Sequence, residues 1–259
     1  MHPMVTIAVR AARNAGNVIS RSYNHTESLN VTEKSRNDYV SEVDRLAEQE
    51  IIQTIQKSYP NHSFLAEETG KHAGNEYQWI IDPLDGTTNY LRGFPQFAVS
   101  IALKHKNTLE HGVIYDPIKD ELFTASRGQG AQLNNRRIRV TPRKELTGAL
   151  LATGIPYRDD QDLDSYLLTL KAMIKDTAGV RRAGSAALDL AYVAAGRFDG
   201  FWEYGLKPWD LAAGALIVQE AGGIVTDTDG NENFLENGNL LVGNGKIHDQ
   251  MLERLNSCK

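Results

Sequence analysis

An apolar run, Trp79-Ile80-Ile81, ends on Asp82, and a second acid, Asp85, stands just ahead of Gly86. Few folds accommodate that order. The run has the composition of a buried strand, and Pro83 fixes φ and removes a backbone donor, so the chain is expected to leave its sheet there, holding Asp85 close to Asp82. Gly86 lets backbone approach a ligand with no Cβ in the way. The amides of Gly86, Thr87 and Thr88 then stand at a predicted helix start, where anions are favoured. One segment, WIIDPLDGTTNY at 79–90, thus offers cation ligands and phosphate donors together. The plainer reading is that Asp-Pro and Asp-Gly are ordinary turn chemistry.

A second segment, WDLAAGALIVQEAGG at 209–223, also begins with an acid, Asp210, in the first turn of a predicted helix. Leu211, Ala215 and Val218 mark one helical face, Pro208 precedes the turn, and Gly222 and Gly223 supply the stop. Taken alone, Asp210 reads as a helix-start carboxylate serving free amides and the macrodipole, worth about 0.3–1 kcal/mol.

The rest of the chain narrows the function classes. A length of 259 residues allows one large α/β unit or two closely packed halves. The net charge of −5 argues against nonspecific nucleic-acid binding across the whole surface, which rests on many cationic contacts to phosphate. Arg127, Arg136, Arg137, Arg139, Arg143 and Lys144 nevertheless cluster with no acid among them, as a solvated strand face or a partner-binding patch. The single cysteine, Cys258, supports neither a disulfide framework nor a thiolate zinc site. No run approaches the roughly 20 apolar residues of a membrane span. A cytoplasmic protein is expected. His2, His25, His62, His72, His105, His111 and His248 are scattered with no pair at metal-ligand spacing, and are read as surface or structural.

Helical periodicity predicts a helix through Met4, Ala8, Ala15 and Ile19 and another from about Ser41 to Tyr59. Strands follow around Phe64 and Leu65, at 78–82, 97–103, 112–115 and 122–125, suggesting an antiparallel meander packed on helices. Beyond about residue 147 strands alternate with helices, as in a mixed α/β half. The expected division is 1–146, carrying the first acid motif, and 147–259, carrying Asp210. No flexible linker separates them, so one compact unit is expected.

The string Asp-Pro-Leu-Asp-Gly-Thr-Thr-Asn-Tyr resembles the first signature of the inositol monophosphatase family, the Mg²⁺-dependent, lithium-sensitive phosphatases, and residues 209–223 resemble its second. The likeness covers essentially the whole chain. Departures are mild: Ser41 for a frequent Thr, Leu84 for Ile and Tyr90 for Phe. The resemblance implies an α/β (α+β) five-layer αβαβα sandwich of the inositol monophosphatase and fructose-1,6-bisphosphatase type.

It further implies metal ligation by Glu67, Asp82, the carbonyl of Leu84, Asp85 and Asp210. This all-oxygen set suits Mg²⁺ rather than zinc. Glu67 is taken over its neighbour Glu68 only because the family motif places the ligand first. Thr87 and Asp44 map onto the pair that orients the attacking water, with Glu67 as the third catalytic residue. On spacing alone, Ser41 and Asp44 form a capping box, and the two roles are compatible. Asp85, Gly86, Thr87, Gly184, Ser185, Ala186, Glu203 and Asp210 are implied around the substrate, with Glu203 accepting from polyol hydroxyls. The plainer reading makes Gly184-Ser185 a helix cap and Glu203 a strand-end charge. Arg181 and Arg182 are left outside the site.

The implied substrate is a small phosphate monoester, myo-inositol 1-phosphate or a similar polyol phosphate. Relatives of this fold act on fructose 1,6-bisphosphate, phosphoadenosine phosphate, NADP or histidinol phosphate. The family is typically homodimeric. The likeness is to the bacterial, enterobacterial-type members, which implies a second role in ribosomal RNA transcription antitermination through a transcription-machinery partner.

Overall fold

The computed structural model describes residues 2–23, 31–35, 38–156 and 162–258; His25 lies outside them. The expected pair of N-terminal helices is present as α1 (Pro3–Tyr23) and α2 (Glu42–Gln56), joined through a hairpin of β1 (Val31–Ser35) and β2 (Asp38–Ser41) that periodicity did not reveal. Along α1 the buried residues Val5, Ala8, Ala12, Ala15 and Ile19 recur every three or four positions, so small side chains line the contact face.

An eight-stranded sheet follows. It contains β3 (Ser63–Ala66), β4 (Gly70–His72), β5 (Tyr77–Asp85), β6 (Ala98–His105), β7 (Thr108–Asp116), β8 (Glu121–Ser126), β9 (Gly130–Leu133) and β10 (Arg136–Arg137). Their order is β10-β9-β8-β7-β6-β5-β3-β4. The meander is antiparallel except where β3 runs parallel to β5. Contrary to expectation, β5 does not end at Pro83. Asp82 pairs with Ser100 and Asp85 with Ala98, so the proline sits in a bulge, where a missing N–H costs no ladder bond. A short helix, α3 (Thr87–Leu91), follows directly.

The C-terminal part alternates as predicted: β11 (Leu150–Thr153), α4 (Leu163–Ile174), β12 (Gly179–Arg181), α5 (Ala186–Ala194), β13 (Gly200–Glu203), α6 (Pro208–Glu220), β14 (Ile224–Thr226), α7 (Phe234–Asn237), β15 (Leu240–Gly243) and α8 (Gly245–Asn256). Its five strands are ordered β12-β11-β13-β15-β14, with β12, β11 and β13 parallel and β14 and β15 antiparallel to their neighbours.

Period-two alternation explains how these parts stack into five layers. On β5, Trp79 and Ile81 pack against α1 and α2, while Ile80 packs toward α5 and α6. On β13, Phe201 faces that same middle layer and Trp202 faces outward with residues of α4 and α8. Helix α6 is therefore covered on both sides. The single apolar face expected of it is in fact apolar all round, and every residue from Leu211 to Val218 is buried. Both sheets are thus covered on both faces.

Candidate active site

Every element that delivers an acid to the site does so from its end. Glu67 follows the last residue of β3, Asp82 and Asp85 lie in the bulge that closes β5, and Glu203 ends β13. Alternation places Asp82, like Ile80, toward the middle layer, where α5 and α6 begin. Strand ends from both sheets and two helix N-termini therefore converge on one cleft of about 620 Å³. It is lined by Glu67, Asp82, Leu84, Asp85, Gly86, Thr87, Gly184, Ser185, Ala186, Glu203 and Asp210, which gathers the whole sequence-predicted set except Asp44. Asp44 lies behind it, fully buried, and reaches the cleft through Thr87.

The carboxylates are held by local backbone chemistry. Asp82 Oδ1 accepts from Leu84 N at 2.9 Å. Asp85 Oδ2 accepts from Ser185 Oγ at 2.6 Å and Ala187 N at 2.7 Å, tying the bulge of β5 to the start of α5. Asp210 Oδ2 accepts from Lys207 N at 2.7 Å, closing the first turn of α6. Asp44 divides its two oxygens. Oδ2 takes the Ser41 amide at 2.8 Å and the Ser41 hydroxyl, completing a capping box, and Oδ1 takes the Thr87 hydroxyl at 2.8 Å. Asp44 thus caps α2 and accepts from Thr87 at once.

Gly86 adopts φ 99°, and a Cβ there would press on the carbonyls of Gln96 and Gly184, so glycine is required for the first motif to close on the 184 loop. Asn89 secures the same contact, its amide donating to the carbonyls of Gln96 at 2.7 Å and Ala183 at 2.9 Å. Glu67, not Glu68, lines the cleft. The Glu68 amide instead donates to buried Glu48 at 2.8 Å.

Electrostatics single out the same residues. Burial, reinforced by the negative charges of Glu67, Asp85 and Asp210, holds Asp82 well above the usual carboxylate range. Burial pushes Asp85 up to about 6, against the opposing pull of its Ser185 and Ala187 hydrogen bonds. Asp44 is likewise raised by burial. Glu67, Asp82, Asp85 and Asp210 line the cleft with Leu84, and such a hard-oxygen donor set fits Mg²⁺. Among the described residues no three acids, imidazoles or thiolates close into a ready-made metal cage. Repulsion between carboxylates, about 4 kcal/mol for a pair roughly 4 Å apart at an effective dielectric near 20, opposes any tighter ring.

Several cleft residues escaped sequence reasoning, and three of them bear on the chemistry. Arg182, set aside with Arg181, lines the cleft although both are exposed, and Arg181 is not part of the lining. Gly154 and Asp189 also line it. Asp189 is buried, its Oδ1 has no hydrogen-bond partner among the described residues, and burial, then Glu203 and Asp85, raise it well above the usual range. Only an apolar helix interrupted by an acid, Ala-Leu-Asp-Leu-Ala, hinted at it.

The same architecture occurs in known proteins. A crystal structure of the extragenic suppressor protein suhB from Bartonella henselae superposes with a TM-score of 0.96 at 46% identity, covering 98% of each chain. The inositol monophosphatase of Anabaena superposes with a TM-score of 0.84 at 41% identity over 97% of this chain and 94% of that one. Among curated proteins, the Nus factor SuhB of Pseudomonas aeruginosa is 55% identical over 258 residues, 97% of this chain and 95% of that protein. The family model described as the inositol monophosphatase family matches residues 1–259, and the chain belongs to that family.

Proposed function

We propose that the chain is a Mg²⁺-dependent phosphomonoesterase of the cytoplasm that hydrolyses myo-inositol 1-phosphate or a similar polyol phosphate to the alcohol and inorganic phosphate. The observation that carries this reading is the convergence of Glu67, Asp82, Asp85 and Asp210 on the cleft into which the Asp44-bound Thr87 hydroxyl opens. Glu67, Asp82, the Leu84 carbonyl, Asp85 and Asp210 would hold the Mg²⁺. When bound, it would neutralise phosphate charge and lower the pKa of water.

The chain's own residues supply the rest. The Thr87 hydroxyl has its proton within reach of Asp44 Oδ1 and the Leu84 carbonyl, at 2.8 and 3.1 Å, which leaves its lone pairs to accept from an attacking water. That water passes a proton to Thr87 Oγ1 as the Thr87 proton moves to Asp44, a buried carboxylate whose raised proton affinity suits a base. The amides of Gly86 and Thr87 and the N-termini of α5 and α6 favour the phosphoryl group. Gly184, Ser185 and Ala186 shape the alcohol side, where Glu203 accepts from hydroxyls. An alcohol lacking them leaves that acceptor unpaired.

A substrate panel tests the assignment: inositol 1-phosphate against fructose 1,6-bisphosphate, phosphoadenosine phosphate, NADP and histidinol phosphate, each titrated with Mg²⁺ and with lithium. Equal rates on inositol 1-phosphate and an unrelated ester would remove the inositol reading. A second reading, a part in transcription antitermination, is favoured by the name Nus factor carried by the Pseudomonas relative. On this chain Arg136 and Arg137 are exposed on β10, the outermost strand of the large sheet, with Arg139 exposed just beyond. A cluster of exposed arginines suits an acidic partner surface.

A further inference from the structure

Gly154 and Glu203 stand side by side at the ends of two parallel strands. β11 and β13 pair as Ala152 with Phe201 and Thr153 with Trp202, so the next step sets Gly154 against Glu203. Ala152 and Phe201 pack into the middle layer while Leu151 and Trp202 pack outward. Alternation therefore points positions 154 and 203 to the same side, the side of the cleft that both line.

A Cβ placed on Gly154 would overlap Cδ and both carboxylate oxygens of Glu203. The Glu203 carboxylate fills the space that any other residue at 154 would give to its own side chain. Backbone conformation does not require glycine here, since Gly154 is absent from the positive-φ positions. At Gly86, by contrast, a Cβ would meet backbone carbonyls that cannot step aside. At Gly154 it would meet the far end of a flexible side chain, which can move while the fold stays.

We propose that Gly154 is the specificity-determining position for the alcohol portion of the substrate, acting as the seat that fixes where the Glu203 carboxylate meets substrate hydroxyls. The inference rests on the phosphatase reading above and extends it to a positioning residue. A methyl group at 154 lifts the carboxylate from its seat. Polyol esters then lose an acceptor that esters without hydroxyls never used, and selectivity rather than turnover chemistry bears the loss.

The test measures kcat and KM for inositol 1-phosphate and for p-nitrophenyl phosphate, at saturating Mg²⁺. Four proteins are compared, wild type, Gly154→Ala, Glu203→Ala and the double variant, with thermal melts of each. The expected result is a fall of at least about tenfold in the polyol-to-aryl ratio of kcat/KM for Gly154→Ala, carried by KM of the polyol ester. The double variant should match Glu203→Ala, because the methyl then has no carboxylate to displace. Should Gly154→Ala itself melt out, the double variant, free of the overlap, must still fold and match Glu203→Ala.

A wild-type ratio in Gly154→Ala, a parallel loss on both esters, or additive losses in the double variant would overturn the seat while leaving the phosphatase reading standing. A wild type that cleaves neither ester overturns that reading, and the seat falls with it.

Discussion

The Thr87 hydroxyl donates to Asp44 across 43 positions of sequence, at 2.8 Å, while the other oxygen of the same carboxylate caps α2. One buried acid thus fixes a helix start and a cleft hydroxyl together, which makes its structural role and its proposed catalytic role separable by experiment. Asp44→Asn keeps an acceptor for the cap but is a far weaker base. The expected outcome is a fall in kcat of about 10²–10⁴-fold with KM for substrate little changed. A kcat within threefold of wild type would remove Asp44 from the chemistry.

Ser41→Ala removes the cap side chain and one partner of Asp44. The loss of a serine cap is worth about 1 kcal/mol. For a chain of this size the melting temperature should drop by roughly 2–4 °C, as followed by circular dichroism. An unchanged melting temperature would show that the box contributes nothing to stability.

Asp82 is opposed by burial and by three acidic neighbours, and Asp82→Asn relieves that opposition. Without Mg²⁺ the variant should melt at or above the wild-type temperature, yet lack both phosphatase activity and the rise in melting temperature that Mg²⁺ gives the wild type. Asp210→Asn should share the loss of activity and of the Mg²⁺ response. Turnover retained in both variants contradicts the proposed metal ligation.

The pH dependence of stability has a defined sign. His62, His111 and His248 are held below their ordinary value by burial, His111 down to about 4. In that range the unfolded chain binds more protons than the fold, so they weaken the fold as pH drops below about 6.5. Asp82, Asp85 and Asp189 are raised, so the fold holds protons that the unfolded chain has released, and they weaken it as pH rises. The two sets oppose each other in mild acid. The contribution of Asp85 falls between about pH 4 and 6, from its ordinary value to its raised one. In chelator-treated protein the melting temperature of the wild type relative to Asp85→Asn, a comparison in which the histidines cancel, should therefore fall as pH rises across that window, and saturating Mg²⁺ should flatten that slope. A wild-type melting temperature that rises relative to the variant across this window would contradict the raised Asp85.

The basic edge makes its own prediction. Replacing Arg136, Arg137 and Arg139 with Ala should remove specific components from the set of proteins captured from bacterial lysate by the wild type. Identical capture lists count against a partner at β10.

The two acid motifs were legible because each is local. Asp82 to Thr88 and Asp210 with its helix are contiguous strings whose turn, cap and strand signals lie within a few residues. The alternation of strands and helices after residue 147 was legible for the same reason. Less visible were short or edge elements, β4, β9, β10 and the β1–β2 hairpin, whose existence depends on a neighbouring strand more than on their own periodicity. Pro83 misdirected the end of β5, because a proline that breaks a regular strand is tolerated in a bulge, and bulges are set by pairing with β6.

Residue chemistry alone determined that acidic oxygens stand beside amides suited to an anion, since acid spacing, glycine and proline act through bonds along the chain. Which acids meet, that Glu67 rather than Glu68 faces them, that Arg182 and Asp189 join the cleft, and that Gly154 leaves room for Glu203 were decided only by the tertiary structure. Those relationships run between strands and across layers. Packing of two sheets on the shared layer of α5 and α6 brings them about, and no single segment encodes it.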